Sequence, residues 1–321
     1  MNAPTRDEFL ARRRAGIGGS DISVILGLNP YKSQVELWVE KTGRSVDETS
    51  AMRLRFGSFA EQFVADEYQI ATGRRVVRHN AQLVHPDYPM AIGNVDRLVI
   101  PEGRKVAAIK GQIVADRILE AKTVGSHAKR DEWGQVGTDQ VPTHYLTQSH
   151  WYLSLTPCAE LDLAALFGAG EDLAIYTIKK DADLEEELLR RAAEWWRQHV
   201  ENDVAPEPQS EADVRLLYPQ DNQQQIDADE EIYSAFAQLC RVKEQLKALE
   251  ADEQAARDTL TTFMRDAAVL RYQGATLATY KAASPSSKTD WKAVCKASGV
   301  PEDVIAQHTT ETAGSRRLIL K

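Results

Sequence analysis

The sequence predicts a mixed α/β domain followed by a separate helical arm. Two runs with helical spacing come first, and short alternating or apolar runs typical of strands then extend to residue 124. A further helical run, two more strand-like runs and a long helix ending near residue 203 complete the pattern. Helices and strands in this order are typical of a mixed sheet flanked by helices. We therefore expect one domain at residues 1–205, a linker at 206–228, and a helical arm with a small α+β module at 229–321.

Capping residues predict the first two helices. Ser20 or Asp21 would cap a helix that starts at Ile22, because short polar side chains accept hydrogen bonds from the first amides of a helix. Ser33 would cap a second helix over residues 33–43 in the same way.

The clearest helix of the sequence covers residues 56–73 and would end at Gly73. The apolar residues of this segment that fall near helical spacing are Phe59, Phe63, Val64 and Ile70. The following segment, 105–124, is either one long bent strand or two strands interrupted at Gly111.

The arm after residue 229 has roughly heptad spacing of apolar residues. The residues concerned are Ile232, Leu239, Leu246 and Leu260, with a second set at Val242, Leu249 and Phe263 and a polar break at Glu253. A helical hairpin and a short coiled coil both fit this pattern. Short strands around a helix are expected in the tail.

Composition limits the classes of protein that the chain can belong to. No run of 18 apolar residues occurs and the first residues are charged, so we expect neither a membrane span nor a signal peptide, and a cytoplasmic location. The three cysteines lie far apart without a CxxC motif, which argues against a disulfide framework or a zinc ribbon. The net charge of −9 disfavours unspecific binding to nucleic acid. The acid is concentrated after residue 145, however, so a local DNA channel before it is not excluded.

One group of charged residues carries a chemical signal. Asp96 follows a short strand, and Glu120 and Lys122 point to the same face of a second, otherwise apolar strand. Two carboxylates on neighbouring strands suit a hard divalent cation such as Mg²⁺. A lysine beside them can position a water molecule or stabilise charge on a phosphate. The alternative is an exposed Glu–Lys pair on a strand, with an unrelated aspartate in a nearby turn. An acid-x-Lys triplet is common, so the surrounding sequence has to decide between this alternative and a metal site.

Several motifs of the chain resemble one family. The segment RRRAGIGGSDISVILGLNPYKSQVELWVEKTG at 12–43, the helix FGSFAEQFVADEY at 56–68 and the pair IGNVDRLV and LEAKTV occur in the order of the YqaJ-like viral recombinases, which are relatives of the phage lambda exonuclease. The helix HYLTQSHWYL at 144–153 is similar to the family's Tyr-x-x-Gln helix. Five motifs over about 140 residues make the resemblance specific.

The resemblance implies a restriction-endonuclease-like core that cleaves DNA with Mg²⁺, for which Mn²⁺ substitutes. It implies that Asp96, Glu120 and the carbonyl of Ala121 bind the metal, with Glu61 as a further ligand of the metal or of water. Lys122 would orient or activate the attacking water, and Gln148 would support it.

The same resemblance implies a phosphate site at Arg13 and Ser20. A guanidinium and the amides of a glycine-rich turn are suitable ligands for a phosphate, although the arginine could equally be solvated and Ser20 a simple cap. One departure from the family pattern is Val95, which stands where the family has a proline before the core aspartate. Without that proline, the family pattern says less about the backbone geometry just before Asp96.

The function implied is a 5′→3′ exonuclease of double-stranded DNA in phage-type recombination, with a single-strand annealing protein as partner and a homo-oligomeric assembly. Two alternatives stay open: an endonuclease of the same fold, and a non-catalytic DNA-binding scaffold for a recombination partner. The intact set of two acids and a lysine argues against the scaffold.

Overall fold

The computed structural model describes residues 14–44, 51–125, 130–168, 170–310 and 316–320. The chain divides into two compact units, Met1–Tyr218 and Pro219–Lys321. The helices of the first unit are α1 Gly19–Ile25, α2 Gln34–Lys41, α3 Ala51–Thr72, α4 Thr143–Ser154, α5 Ala182–Trp195 and α6 Glu211–Leu217. A 3-10 turn at Arg130–Glu132 precedes α4, and a π-helical segment at Trp196–Glu201 extends α5. Its strands are β1 Val76–Arg78, β2 Leu83–Val84, β3 Ile92–Gly93, β4 Arg97–Val99, β5 Ala108–Ile109, β6 Gln112–Ile113, β7 Arg117–Val124, β8 Glu160–Phe167 and β9 Asp172–Lys179.

The main sheet has five strands in the order β1-β4-β7-β8-β9. Strands β7 and β8 are parallel, and the other pairs are antiparallel. Helix α4 lies in the connection between the two parallel strands, because a parallel pair needs a long crossover. This mixed sheet flanked by helices confirms the predicted α/β class and is consistent with a restriction-endonuclease-like arrangement.

The two faces of the sheet pack against different helices. On one face, Val64 and Tyr68 of α3 are fully buried against Leu119 of β7. On the other face, Ile118 of β7 belongs to the larger core that includes Trp151 of α4. Residues alternate between the faces of a strand, so Glu120 and Lys122 lie on the α4 side with Ile118.

Helix α3 ends at Gly73 as predicted, with a left-handed φ of +70°, but most of the apolar residues at helical spacing do not form its buried face. Val64 is buried, whereas Phe59, Phe63 and Ile70 are 79%, 47% and 76% exposed. The buried face consists mainly of smaller residues, and these are Ala60, Val64 and Ala65, together with Tyr68. Small side chains let a helix approach a sheet closely, which periodicity alone does not reveal.

Helix α1 begins earlier than predicted. Its cap is Gly18, and Asp21 lies three residues further on, where its carboxylate accepts a hydrogen bond from the Gly18 amide at 2.9 Å. The prediction that Ser20 or Asp21 caps the helix is therefore wrong. The cap at Ser33 is confirmed, since its hydroxyl accepts a hydrogen bond from the Glu36 amide.

The segment around Gly111 forms the short hairpin β5–β6, separate from β7, so the reading with an interruption at Gly111 is the correct one. Residues 211–217, inside the predicted linker, form helix α6. Its buried Asp213 accepts a hydrogen bond from the Ser33 hydroxyl at 2.5 Å, and the first unit extends to Tyr218.

The second unit contains α7 Glu230–Met264, the hairpin of β10 Val269–Tyr272 and β11 Ala275–Thr279, and the short helices α8 Trp291–Ala297 and α9 Glu302–Gln307. Helix α7 runs for 35 residues without a turn, so a helical hairpin between 230 and 264 is wrong. In the part of the chain that the structure describes, no helix has the length and apolar character needed to cross a bilayer.

Candidate active site

Four of the residues that the sequence singles out meet on the α4 side of the sheet. Asp96 immediately precedes β4, Glu120 and Lys122 belong to β7, and Gln148 belongs to α4. Strands β4 and β7 pair with Arg97 opposite Leu119, which brings Asp96 beside Glu120. The amide of Ala121 donates to Asp96 Oδ2 at 2.9 Å, so the backbone of β7 itself holds the aspartate.

A closed set of hydrogen bonds joins the remaining three side chains. Lys122 Nζ donates to Glu120 Oε1 at 2.8 Å and to Gln148 Oε1 at 3.0 Å. Gln148 Nε2 donates to the same Glu120 oxygen at 3.0 Å. Glu120 and Gln148 are buried, at 3% and 8% exposure. The amide of Gln148 therefore fixes both the lysine and the glutamate in one orientation.

The charges of this group are strongly coupled. Burial, and then the nearby Glu120 carboxylate, raises the pKa of Asp96 to about 8. Burial acts to lower the pKa of Lys122, but the carboxylates of Glu120 and Asp96 outweigh it and raise that pKa above its usual value. Lys122 is therefore a cation at neutral pH in this structure, and its ammonium donates to Glu120 and Gln148.

The two carboxylates fit a divalent cation. Glu120 Oε2 is buried and has no hydrogen-bond partner among the residues that the structure describes. A buried oxygen without a partner is costly, and the raised pKa of Asp96 shows that its position lacks compensating positive charge. A hard cation bound by Asp96 and Glu120 would offset both costs, and Mg²⁺ commonly binds through one or two carboxylates with the rest of its ligands from water and phosphate.

Glu61 does not join this pair. It lies on α3, where its carboxylate accepts hydrogen bonds from Arg97 and, at 3.2 Å, from Arg78. Its charge still contributes to the raised pKa of Asp96. Across the described residues, no three His, Cys, Asp or Glu side chains lie close enough to hold a metal together. The structure thus places Asp96 and Glu120 next to each other, whereas Glu61 pairs with Arg97 and Arg78.

The predicted phosphate site is described only in part. Ser20 lies exposed in the first turn of α1, and its carbonyl accepts a hydrogen bond from the Ser23 hydroxyl. Arg13 lies outside the described residues. The nearby Asp21 has a different role, because it forms a buried ion pair with Lys41 at 2.6 Å. That pair, together with Lys32, lowers the pKa of Asp21 although burial acts to raise it.

Sequence reasoning missed Tyr152, whose hydroxyl accepts a hydrogen bond from Gln148 Nε2 at 3.1 Å. Its ring also occupies the space beside two motif glycines. A Cβ added at Gly19 would lie 2.8 Å from that ring, and one at Gly93 would lie 3.2 Å from it and 2.6 Å from Leu155. The four-residue spacing from Gln148 on one helix was the available signal. Tyr152 therefore lies between the start of α1 at Gly19, the end of β3 at Gly93, and Gln148.

Comparisons with known proteins agree with the sequence motifs. The family model described as the YqaJ-like viral recombinase domain matches residues 8–159. The uncharacterized protein YqaJ of Bacillus subtilis (strain 168) is 32% identical over 270 residues, covering 82% of this chain and 79% of the relative.

Two solved structures also match, with lower scores. One is an alkaline exonuclease (LHK-Exo) from Laribacter hongkongensis, with a TM-score of 0.47 and 16% identity over 61% of this chain and 93% of that chain. The other is a phage related exonuclease from Haemophilus somnus 129PT, with a TM-score of 0.38 and 12% identity over 61% and 100%. On the strength of the family model and the Bacillus subtilis relative, this chain belongs to the YqaJ-like viral recombinase family.

Proposed function

We propose that the chain is a Mg²⁺-dependent deoxyribonuclease that hydrolyses phosphodiester bonds, with Mn²⁺ as a substitute metal. The observation that carries this proposal is the buried, unpartnered Glu120 Oε2 beside an aspartate whose pKa is raised to about 8. Asp96, Glu120 and the carbonyl of Ala121 would hold the cation. When bound, such a cation lowers the pKa of a coordinated water and withdraws charge from the phosphate.

The protein side chains have separate tasks in this reaction. Lys122 stays protonated and donates hydrogen bonds, so it orients the attacking water and stabilises charge that gathers on the phosphate. Gln148 keeps Lys122 and Glu120 in register through its two hydrogen bonds. Arg97 keeps Glu61 beside the site, where that carboxylate can accept a hydrogen bond from water.

The preferred substrate is the end of a double-stranded DNA, cut in the 5′→3′ direction, with Arg13 and Ser20 binding the terminal phosphate. The products would be 3′ single strands for an annealing protein. Digestion of linear and covalently closed circular duplexes distinguishes this activity from that of an endonuclease. Linear DNA should be degraded, faster with a 5′-phosphate than with a 5′-hydroxyl, and Arg13→Ala should remove that difference. Cutting of closed circles would favour the endonuclease.

The catalytic claim is tested with Lys122→Met in Mg²⁺. We expect its rate to fall by about 10²- to 10³-fold, the usual effect of removing a donor that stabilises developing charge. Lys179→Met is the matched control, because Lys179 lies exposed at the end of β9 and should leave the rate unchanged. A Lys122→Met protein as active as wild type would overturn the assignment.

Metal binding is tested independently of activity. Titration with Mn²⁺, followed by electron paramagnetic resonance, should show a bound ion that Glu120→Gln loses. Glu171→Gln, at an exposed glutamate of the turn before β9, is the control. A wild-type protein that binds DNA but neither binds Mn²⁺ nor cuts would support the non-catalytic scaffold instead.

A further inference from the structure

Helix α7 carries an apolar seam, interrupted once at Glu253, that its own unit leaves largely uncovered. The positions of the seam alternate in steps of three and four residues, which is the heptad spacing of a and d positions. They are Ile232, Ala235, Leu239, Val242, Leu246, Leu249, Glu253, Ala256, Leu260 and Phe263. Exposure is 58% at Ile232, 53% at Leu246 and 64% at Leu249. The structure describes all of α7, and Met264 is its only buried residue.

An apolar seam of this length needs a partner. At a rise of 1.5 Å per residue, the 35 residues of α7 extend for about 50 Å. On a single exposed helix the apolar side chains of such a seam stay in water and add no stability, whereas two helices that pack along their seams remove both seams from water. We infer that α7 pairs with α7 of a second copy of this chain as an antiparallel two-helix coiled coil, in which seam residues whose numbers add up to 495 face each other.

The sizes of the seam residues fit this register. Leu246 faces the partner's Leu249, and by symmetry Leu249 faces the partner's Leu246, so a leucine layer forms the centre. Leu239 faces the partner's Ala256, and Leu260 faces the partner's Ala235, which sets a large residue against a small one. All ten seam positions find a partner, so the two helices overlap along their full length.

Charges beside the seam select the same register. In an antiparallel pair the e positions of the two helices face each other, and those of α7 are Phe236, Lys243, Glu250 and Arg257. In the proposed register Lys243 faces the partner's Glu250, and Phe236 faces the partner's Arg257, a cation–π pair. A shift of one heptad in one direction sets Lys243 against the partner's Lys243. The opposite shift sets Glu250 against the partner's Glu250.

The polar break at Glu253 argues against parallel pairing. In a parallel pair in register, Glu253 would face the partner's Glu253 inside the seam, two like charges away from water. The favourable charge contact of a parallel pair would be that of Asp252 with the partner's Arg257. In the antiparallel pair Glu253 faces the partner's Val242, and its charge is already compensated by Arg257 of its own helix at 2.7 Å.

The first test is the mass of the full-length chain in analytical ultracentrifugation. We expect a concentration-dependent dimer that Leu246→Glu combined with Leu249→Glu dissociates to monomer. Ala248→Glu combined with Ala251→Glu adds the same charges on the outer face of α7 and should leave the dimer intact. A chain that stays monomeric at the highest attainable concentration overturns the inference and leaves the seam to a different protein. An assembly that ignores the seam variant also overturns it, since the contact then lies elsewhere.

A charge exchange tests the orientation with substitutions that leave the exposed helix folded. Lys243→Glu replaces two attractive pairs per dimer with two repulsive pairs of glutamates, and should weaken dimerisation several-fold. Adding Glu250→Lys restores the pairs and should restore the affinity. In a parallel dimer Lys243 and Glu250 face glutamines. Equal affinity of wild type, single and double variants would therefore refute the antiparallel arrangement.

Cross-linking gives an independent readout of the same arrangement. In a background of Cys240→Ser and Cys295→Ser, a mixture of Leu246→Cys chains and Leu249→Cys chains should form covalent heterodimers on oxidation. Leu246→Cys alone should not, because position 246 faces the partner's 249. Efficient cross-linking of Leu246→Cys with itself would show a parallel pair and overturn the inference.

Discussion

Replacement of Asp96 by Asn should stabilise the metal-free protein while removing the metal site. The folded protein raises the pKa of Asp96 from 3.8 to about 8, so folding favours the protonated acid. As the pH rises from about 4 to about 8, the wild type therefore loses stability that a neutral asparagine keeps. The amide of Ala121 can still donate to an asparagine oxygen, so the substitution preserves the local hydrogen bond.

The magnitude follows from the size of the pKa shift. At pH 7 the unfolded acid lies about 3 units above its pKa of 3.8, which corresponds to roughly 4 kcal/mol at 1.36 kcal/mol per unit. Asp96 is only partly buried by its surface area, so about 2 to 4 kcal/mol is the expected gain in the free energy of unfolding. Towards pH 4 and below the gain should fade, since the acid then becomes protonated in the unfolded state as well as in the folded state.

The assay is urea denaturation in EDTA at several pH values between 4 and 8.5, followed by tryptophan fluorescence. Five of the six tryptophans belong to the first unit, and these are Trp38, Trp133, Trp151, Trp195 and Trp196. Added Mn²⁺ should stabilise the wild type but not Asp96→Asn, because only the wild type keeps both carboxylates. An Asp96→Asn protein that is less stable than wild type at pH 7.5 would refute the electrostatic reasoning.

Three further predictions concern other features near the site. Asp21→Asn breaks a buried ion pair and should cost about 3 to 5 kcal/mol at neutral pH. Because the pKa of Asp21 is lowered on folding, its contribution is present above pH 3.8 and fades in acid, and a urea series extended down to pH 3 should show this opposite trend. Gly93→Ala should lower the Tm, because overpacking costs about 1 to 3 kcal/mol of the free energy of unfolding. Gly57→Ala is the control: it has open space around it in helix α3 and should raise the Tm, as measured by calorimetry. Tyr152→Phe removes one hydrogen bond of Gln148 and should reduce kcat by up to about tenfold without changing Mn²⁺ affinity.

Each of these expectations has a contrary result. A loss on Asp21→Asn that is constant down to pH 3 would mean that the ion pair is not its cause. A Gly93→Ala protein as stable as wild type would show that the ring of Tyr152 moves freely. A fall of kcat by more than 10²-fold in Tyr152→Phe would give the hydroxyl a direct role in the chemistry.

The strand signals of the sequence were sufficient to bring Asp96, Glu120 and Lys122 together. Alternation in an apolar strand fixes which side chains share a face, and the structure places Glu120 and Lys122 on the face that meets α4. The heptad spacing likewise predicted the long helix α7, but not that it runs without a turn. These features depend on local periodicity, which a single sequence records directly.

Other features depend on contacts between distant segments, and the sequence does not record them. The pairing of Glu61 with Arg97 arises because α3 crosses the sheet beside β4, a packing choice that no local pattern specifies. The exposure of Phe59 and Phe63 has the same cause, since the helix rests on its small residues. The ion pair of Asp21 with Lys41 likewise joins two helices, and the capping pattern alone did not suggest it.

Residue 121 serves both faces of the sheet at once. Its amide holds the carboxylate of Asp96 on the side of α4, whereas its methyl group packs with the cluster beneath α3. Every amino acid except proline supplies that N–H group, so the chemistry places almost no demand on the identity of the side chain. The packing under α3 does place one, because the methyl group of Ala121 lies against the buried residues of that cluster. The identity of the side chain at position 121 is therefore constrained by packing on the sheet face that lies opposite the acids.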